Sequence, residues 1–433
     1  MSKPLTHLLA WCPSGRLVSV RYGIGVTRWR HAPRLTVLAL LGLWIAAAAP
    51  AQAKSPAGFD TPLFDTTIGF DFPDARATFD EVRNLLLDKY YSRALDEQSL
   101  YYAAIKGMLR RISPPSTPEQ ARIWTRQEYA QVLERLTGQR TSIGIHSRYN
   151  AGDASLTVTA VTAGSPADGM LRVHDRIMRI NGMPLTGMTT AALNKILRAP
   201  AAQHLQLTVV RDIEVLELEV VSDIHPIANI QTGLLPGDVA YLRIRAFTEG
   251  LSEKVRTHLE RWRDAGVERL IIDLRNNSGG VFAEGLRLAE LFTPSNAVLL
   301  YVAKKRKDIQ RYISTNKRPF TMRLAVLVNE STASAAEAAA AALVGHREGR
   351  LVGVESFGKA TIERTFTLSN EMRVRFITGA MFAPRGFSWN ETGLQPALEI
   401  QGSAAHAKRW LAMPIKQRLN EDTQLRGAWQ LLR

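Results

Sequence analysis

The stretch VNESTASAAEAAAAAL, residues 328–343, ends an apolar run with three hydroxyl residues in four positions, then becomes almost pure alanine. Leu324–Val328 is wholly apolar, the signature of a short strand buried on both faces, and alanine is the strongest helix former. The text predicts a strand, a tight turn and a helix starting near Ala335. Ser334 stands at the junction, at the carboxyl end of a strand, where α/β proteins keep their sites. Unpaired N–H groups and a positive dipole end would gather there, with the Ala335 N–H as a candidate oxyanion donor. The same letters also read as a helix cap. SAAE, from Ser334 to Glu337, fits a capping box worth about 1 kcal/mol, and Ser331 and Thr332 could cap equally well. Hydroxyl count does not choose between a nucleophile and a cap.

The neighbouring text sets the fold class. LIIDL (270–274) is a second apolar strand, followed by the turn NNSGG and the helix FAEGLRLAELF. Before it, VAYLRIRAF reads as a strand. LSEKVRTHLERWRDAG reads as a helix with Leu251, Val255, Leu259 and Trp262 on one face and Gly266 at its C-terminal end. Apolar strands alternating with helices indicate an α/β fold with a parallel sheet covered on both sides. TIERTFTL and MRVRFITG read as a hairpin. From about 140 to 224 the period is two instead: TSIGI, SLTVTAV, DRIMRINGMPL, HLQLTVVR and VLELEVV are short strands, with TTAALNKILRA a helix among them. Residues 77–95 carry Phe79, Val82, Leu86 and Tyr90 at helical spacing. Residues 99–112 continue helical until SPPSTPEQ breaks them, and QEYAQVLERLTG ends near Gly138. This makes a small helical domain. Residues 404–433 read as a helical, basic tail.

Composition excludes several chemistries. The 433 residues carry a net charge of +15, of which six positive charges (Lys3, Arg16, Arg21, Arg28, Arg30, Arg34) lie in residues 1–53 with no acid. That basic stretch precedes the apolar run Leu35–Ala49 and the small-residue text AQA ending at Ala53, the pattern of a removable signal peptide. An uncleaved membrane anchor is the lesser alternative, since fifteen apolar residues fall short of the roughly 20 that span a bilayer. Cys12, in this leader, is the only cysteine. A mature chain without thiols has no cysteine nucleophile, cysteine metal site or disulfide, and suits a bacterial envelope compartment. The dense run Lys304–Lys307 has no interleaved aromatics and reads as a solvated turn rather than a nucleic-acid patch. The scattered histidines (His146, His204, His225) form no metal motif, and no P-loop or dinucleotide glycine pattern is present. No metal or cofactor is called for.

A nucleophilic serine needs a base. The G-x-S-x-G elbow is absent, and His346 lies twelve residues along the same helix, roughly 18 Å away. The nearer candidate is Lys359, presented by VGVESFGKA (352–360) after a strand that could lie beside Leu324–Val328. Lysine serves as a general base only when neutral, and Ser-Lys pairs are a variant of the triad logic. In NNSGG, Gly279 or Gly280 could supply a second oxyanion donor; an ordinary strand-to-helix turn is the plainer reading.

Taken together, YLRIRAF, LIIDLRNNSGG, VLVNESTASAAE, VGVESFGKA and GLQPALEI resemble, in order, the text of the C-terminal processing peptidases, or tail-specific proteases. SIGI and AVTAGSPADGMLRVHDRIMRINGMPL are similar to that family's PDZ domain. The resemblance covers roughly residues 77–402. It implies a crotonase/ClpP-like α/β peptidase core (225–403) with an inserted PDZ domain (139–224), a helical domain (54–138), a signal peptide (1–53) and a tail (404–433). In that family the serine precedes the lysine of F-G-K by 25 residues, the separation of Ser334 and Lys359. The implied function is exported, periplasmic serine endopeptidase action on polypeptides, without cofactor. The PDZ loop Ile143, Gly144 and Ile145 would hold a substrate's C-terminal carboxylate while the peptide adds as a strand. Several positions depart from the family. Ala336 replaces its third serine, Ala360 follows the lysine, Ala397 ends GLQPA, ISPPS stands in the helical domain, and His174 replaces a turn glycine. Glu363 stands where glutamine usually orients the lysine, and a carboxylate there would favour the ammonium form. A non-catalytic peptide-binding scaffold is therefore the alternative, with Lys359 and Glu363 a structural ion pair. A protease latent until a partner moves the PDZ is a third reading.

Overall fold

Central-sheet strands alternate between two covered faces, and this places the site. The computed structural model describes residues 74–91, 95–115, 117–305, 308–346, 350–402 and 413–433. The expected signal peptide (1–53), the expected linker at 54–66, part of the 304–307 basic run and residues 404–412 of the expected tail lie outside the described residues.

The chain begins with α1 (Ala75–Lys89), α2 (Glu97–Arg111), β1 (Arg122–Trp124) and α3 (Arg126–Thr137). Thr125 and Glu128 close a full capping box on α3, and Gly138, at φ 72°, ends it as the sequence indicates. The apolar stripe placed α1 correctly but buries nothing: Phe79, Val82, Leu86 and Tyr90 are all exposed. Helical spacing specifies which residues share a face, not whether anything covers it.

A β-rich module follows: β2 (Gln139–Ser142), β3 (Ile145–Asn150), β4 (Ser155–Val161), β5 (Arg176–Ile180), β6 (Met183–Pro184), α4 (Thr190–Leu197), β7 (His204–Arg211), β8 (Glu214–Val221) and β9 (Asp223–Pro226). Its sheet runs β3-β4-β5-β7-β8 with β6 on β5, so β3 is an edge strand. The buried residues Ile143, Val158, Ile177, Leu193, Leu205 and Leu207 are its core. His174 takes φ 79°, the left-handed conformation a glycine adopts without strain. The strands leading into and out of the module, β2 and β9, pair antiparallel, Arg140 opposite His225.

The remainder is β10 (Ile230–Leu235), β11 (Val239–Ile244), α5 (Leu251–Asp264), β12 (Arg269–Asp273), α6 (Phe282–Glu290), β13 (Val298–Lys304), β14 (Ile309–Ile313), β15 (Arg323–Val328), α7 (Ala335–His346), β16 (Arg350–Gly353), β17 (Thr361–Thr367), β18 (Arg373–Phe382), β19 (Leu398–Glu399), α8 (Ile415–Glu421) and α9 (Thr423–Leu432). The central sheet is ordered β10-β11-β12-β15-β16-β19, parallel from β11 onward. Leu270 and Ile272 face the core under α5, α6 and α7, whereas Ile271 faces the opposite core under α8 and α9. A second sheet, β1-β18-β13-β14, carries β17 on β18 as the predicted hairpin. The alanines of α7 are buried throughout, so size as well as helix propensity explains them. A Cβ on Gly285 of α6 would meet the Ala335 carbonyl at 2.6 Å, so these two helices touch through backbone.

Candidate active site

The three hydroxyls of residues 331–334 have three fates. Ser331 is exposed. Thr332 is fully buried; its Oγ1 donates to the Leu274 carbonyl (2.9 Å) and accepts the Asn329 N–H (2.9 Å), pinning the turn after β15 to the end of β12. Ser334 is half-buried at φ 57°. A capping residue normally has extended backbone, with its oxygen over the first helical N–H groups. In the left-handed region Ser334 cannot hold that geometry, and among the described residues its Oγ makes no hydrogen bond. Such a conformation in a non-glycine residue costs about 1–2 kcal/mol and marks this position as a constrained one.

Glu337 is what constrains it. The carboxylate reaches back to the Ser334 N–H (2.9 Å), as half of a capping box would. It also accepts the Ser356 hydroxyl (2.5 Å), the Gly358 N–H (2.7 Å) and the Lys359 N–H (2.8 Å). Ser334 and Lys359 donate to the same oxygen, Oε2, so their backbone nitrogens lie within about 6 Å of each other. Burial pushes the Glu337 carboxyl up, against the pull of its four hydrogen bonds. The SAAE pattern announced this glutamate, but its contacts to Gly358 and Lys359 are long-range and left no mark in the local text.

The NNSGG turn is no plain connection. Asn277 is buried; its Nδ2 donates to the Ile244 carbonyl (3.0 Å), its carbonyl accepts the Ala333 N–H (2.9 Å), and its Oδ1 accepts the Gly279 N–H (2.9 Å). The turn thereby ties the ends of β11 and β12 to the residue before Ser334. Gly279 has φ 106°, and a Cβ there would stand 3.0 Å from Ser334 Cβ and 3.1 Å from the Ala335 nitrogen. Gly280 has φ 135° and passes so close to Phe247 that a Cβ would overlap its carbonyl. With the Gly279 N–H engaged, Gly280 and Ala335 remain as the candidate oxyanion donors.

Lys359 is half-buried, and its Nζ lies 2.6 Å from Glu363 Oε1, the residue that stands in place of glutamine. Arg375 Nε approaches the other Glu363 oxygen at 3.7 Å while its guanidinium lies over the Trp124 ring at 4.9 Å. The structure brings Ser334, Lys359, Gly279 and Ala335 together, but in this geometry Ser334 Oγ and Lys359 Nζ are not hydrogen-bonded.

Behind the site lies a buried ionic cluster that sequence reading missed. Arg275 makes paired bonds to Asp273 (2.9 and 2.7 Å) and to Asp422 of the C-terminal helices (2.9 and 2.8 Å), and Tyr241 donates to Asp273 (2.8 Å). The arginines beside Asp273 hold its carboxyl at about 2 despite complete burial.

In the β-rich module, Ile143 is fully buried and its N–H donates to the Leu197 carbonyl at the end of α4 (3.3 Å). The Gly144 N–H donates to Ser142 Oγ (3.1 Å). Thr162 donates to the Gly144 carbonyl (2.8 Å), so in the antiparallel alternation the next pair, Ile145 with Val161, leaves the Ile145 N–H on the open edge of β3.

Residues 238–400 match the model of peptidase family S41, and residues 131–210 that of the PDZ domain. The chain is 29% identical over 321 residues to the carboxyl-terminal-processing protease of Synechocystis sp., spanning 72% of this chain and 74% of that one. It is 24% identical to the carboxy-terminal processing protease CtpA of Bacillus subtilis, over 72% of this chain and 66% of that one. A crystal structure from Bacteroides fragilis assigned to the S41 proteases superposes with a TM-score of 0.53 at 17% identity, covering 84% of this chain and 98% of that one. The S41 match, the PDZ match and this run of relatives make the chain similar, part by part, to the C-terminal processing peptidases and support a serine-type peptidase.

Proposed function

We propose that the chain is an exported endopeptidase in which Ser334 and Lys359 form a catalytic dyad. Ser334 Oγ attacks the peptide carbonyl, and neutral Lys359 takes its proton and passes it to the leaving amine. The Ala335 and Gly280 N–H groups receive the oxyanion. The PDZ domain, taken as residues 139–224, holds the substrate's C-terminus, and the core, 225–403, cuts an internal bond. Residues 1–53 direct the chain to the periplasm and are removed; no helix among the described residues is long and apolar enough to cross a membrane.

The observation that carries this reading is the shared acceptor: Glu337 holds the backbones of Ser334 and Lys359 on one oxygen, with Ser334 strained and its hydroxyl unengaged. Catalytic hydrogen bonds are often long or unformed until substrate arrives, so the open Ser-Lys geometry is compatible with the dyad. One contact favours the scaffold reading instead, the 2.6 Å pairing of Lys359 with Glu363. A carboxylate beside an amine favours its charged form, and the base role requires Glu363 to be protonated or turned away. Cleavage of an unfolded reporter with an apolar tail, together with fluorophosphonate labelling, separates the two. Turnover and labelling that vanish in Ser334→Ala while binding persists support the dyad. Binding by the wild type without turnover or labelling rejects it.

A further inference from the structure

The PDZ loop is latched from outside its own sheet. Ser142, the last residue of β2, and His225, on β9, are both buried, and Ser142 Oγ lies 2.7 Å from His225 Nε2. The Gly144 N–H can only donate, so at 3.1 Å it occupies a lone pair of Ser142 Oγ. In the Nδ1-protonated tautomer of neutral His225, Nε2 accepts the single proton of Ser142. The chain of bonds runs Gly144 N–H to Ser142 Oγ, and Ser142 O–H to a neutral His225. Gly144 itself is boxed in: a Cβ would stand 2.0 Å from Ser165 Cβ and 3.5 Å from His225 Nε2, and its φ is 85°. The loop cannot slide away from the latch.

In this state the Ser142 oxygen competes with an arriving carboxylate for the Gly144 N–H. Protonating His225 reverses the chain. Nε2 then donates to Ser142 Oγ, and the hydroxyl proton is released to point into the loop. The loop would now offer the Ser142 O–H beside the Ile145 N–H, with the Gly144 N–H still shared with Ser142 Oγ, backed by an imidazolium. We propose that Ser142 and His225 are recognition residues for a free α-carboxylate, and that a peptide C-terminus docks with uptake of a proton by His225. This rests on the PDZ domain capturing C-termini and adds residues outside its peptide-facing strand.

The charged neighbours agree with that direction. Arg140, opposite His225 on β2, opposes its protonation, while Asp223 on β9 favours it; Arg198, at the end of α4, and Glu134 of α3 act on Arg140. Burial, with Arg140, pushes the imidazole below its ordinary value, against the Pro226 backbone hydrogen bond and Asp223. A carboxylate brings the missing counter-charge.

The test uses the full chain carrying Ser334→Ala, so that the probe survives. The probe is a fluorescein-labelled decapeptide ending in two valines, made as the free acid and as the amide, and binding is read by anisotropy between pH 8 and pH 5.5. The free acid should tighten about tenfold across that range, the factor carried by one unit of differential protonation, and the amide should not. Calorimetry in two buffers of different ionisation enthalpy should show uptake of about one proton. His225→Gln, and independently Ser142→Ala, should remove the pH dependence; the second covers the case in which the first fails to fold. A free acid that binds equally at both pH values, or a slope that survives both substitutions, overturns the inference while leaving carboxylate capture standing. A free acid that fails to bind at any pH overturns both.

Discussion

Ser334 and Lys359 donate their backbone N–H groups to one oxygen of Glu337, at 2.9 and 2.8 Å. The turn bearing the proposed nucleophile and the turn bearing its base are thus fastened to the same buried carboxylate, and neither can move far without the other.

Glu337→Gln should therefore misalign both turns. An amide keeps one acceptor oxygen but turns an NH2 toward donors that have lost their partner, at about 1–3 kcal/mol for each buried group left unsatisfied. We expect kcat to fall by about 100-fold with KM little changed, because the substrate-facing surface remains. Steady-state kinetics on a tailed reporter gives both. A kcat within twofold of wild type would mean that the turns hold their alignment without the carboxylate.

Glu363→Gln restores the amide that the family usually carries. Removing the carboxylate 2.6 Å from Lys359 Nζ removes the contact that favours ammonium. We expect kcat/KM on the tailed reporter to rise by about tenfold. An unchanged kcat/KM would show that the Lys359–Glu363 pairing does not restrain the lysine.

Gly279→Ala puts a methyl 3.0 Å from Ser334 Cβ and 3.1 Å from the Ala335 nitrogen, at φ 106° where L-residues are strained. The methyl would displace the Ala335 donor; loss of one oxyanion donor costs about 10²–10³ in kcat, and we expect a loss of that size with peptide binding to Ser334→Ala and to the double variant equal. Weakened binding in the double variant would indicate a wider collapse of the turn.

Acid should loosen the core through Asp273. Its carboxyl is held near 2 against an ordinary value of 3.8, so the unfolded chain binds its proton first as pH falls. The contribution is complete above pH 3.8 and is lost toward pH 2, about 2 kcal/mol in all. Denaturant midpoints measured at pH 5 and pH 2.5 check it. Asp273→Asn should be destabilised at pH 5 by about 1–3 kcal/mol, since it removes one of the two carboxylates paired with buried Arg275 while Asp422 remains, and should show a shallower acid slope.

What the sequence disclosed follows range. Strand and helix identities in the central layer were plain because Leu270 to Leu274 and Leu324 to Val328 are buried on both faces, which fixes their composition. Gly138 as the end of α3 was readable because caps are local. The stripe of α1 was equally readable and yet misleading about packing, since partners cannot be read from one helix. Ser334 was left between two roles by its own text, and its backbone angle, beside the long-range contacts of Glu337 to residues 356–359, argues against the cap. Arg275 with Asp422 was invisible for the same reason: 147 residues separate two charges that meet in the interior.

The ribbon of β2 on β9 has a further meaning for how such a chain is put together. Its outgoing and returning backbones leave the peptidase body as a hydrogen-bonded pair, with Gln139 opposite Pro226 and Ser142 opposite Asp223. Everything between them is a cassette hung from a single stalk. A foreign module whose own ends lie side by side could be spliced at that stalk without cutting a strand of the host layer, so the inserted module can be exchanged while the central sheet is kept.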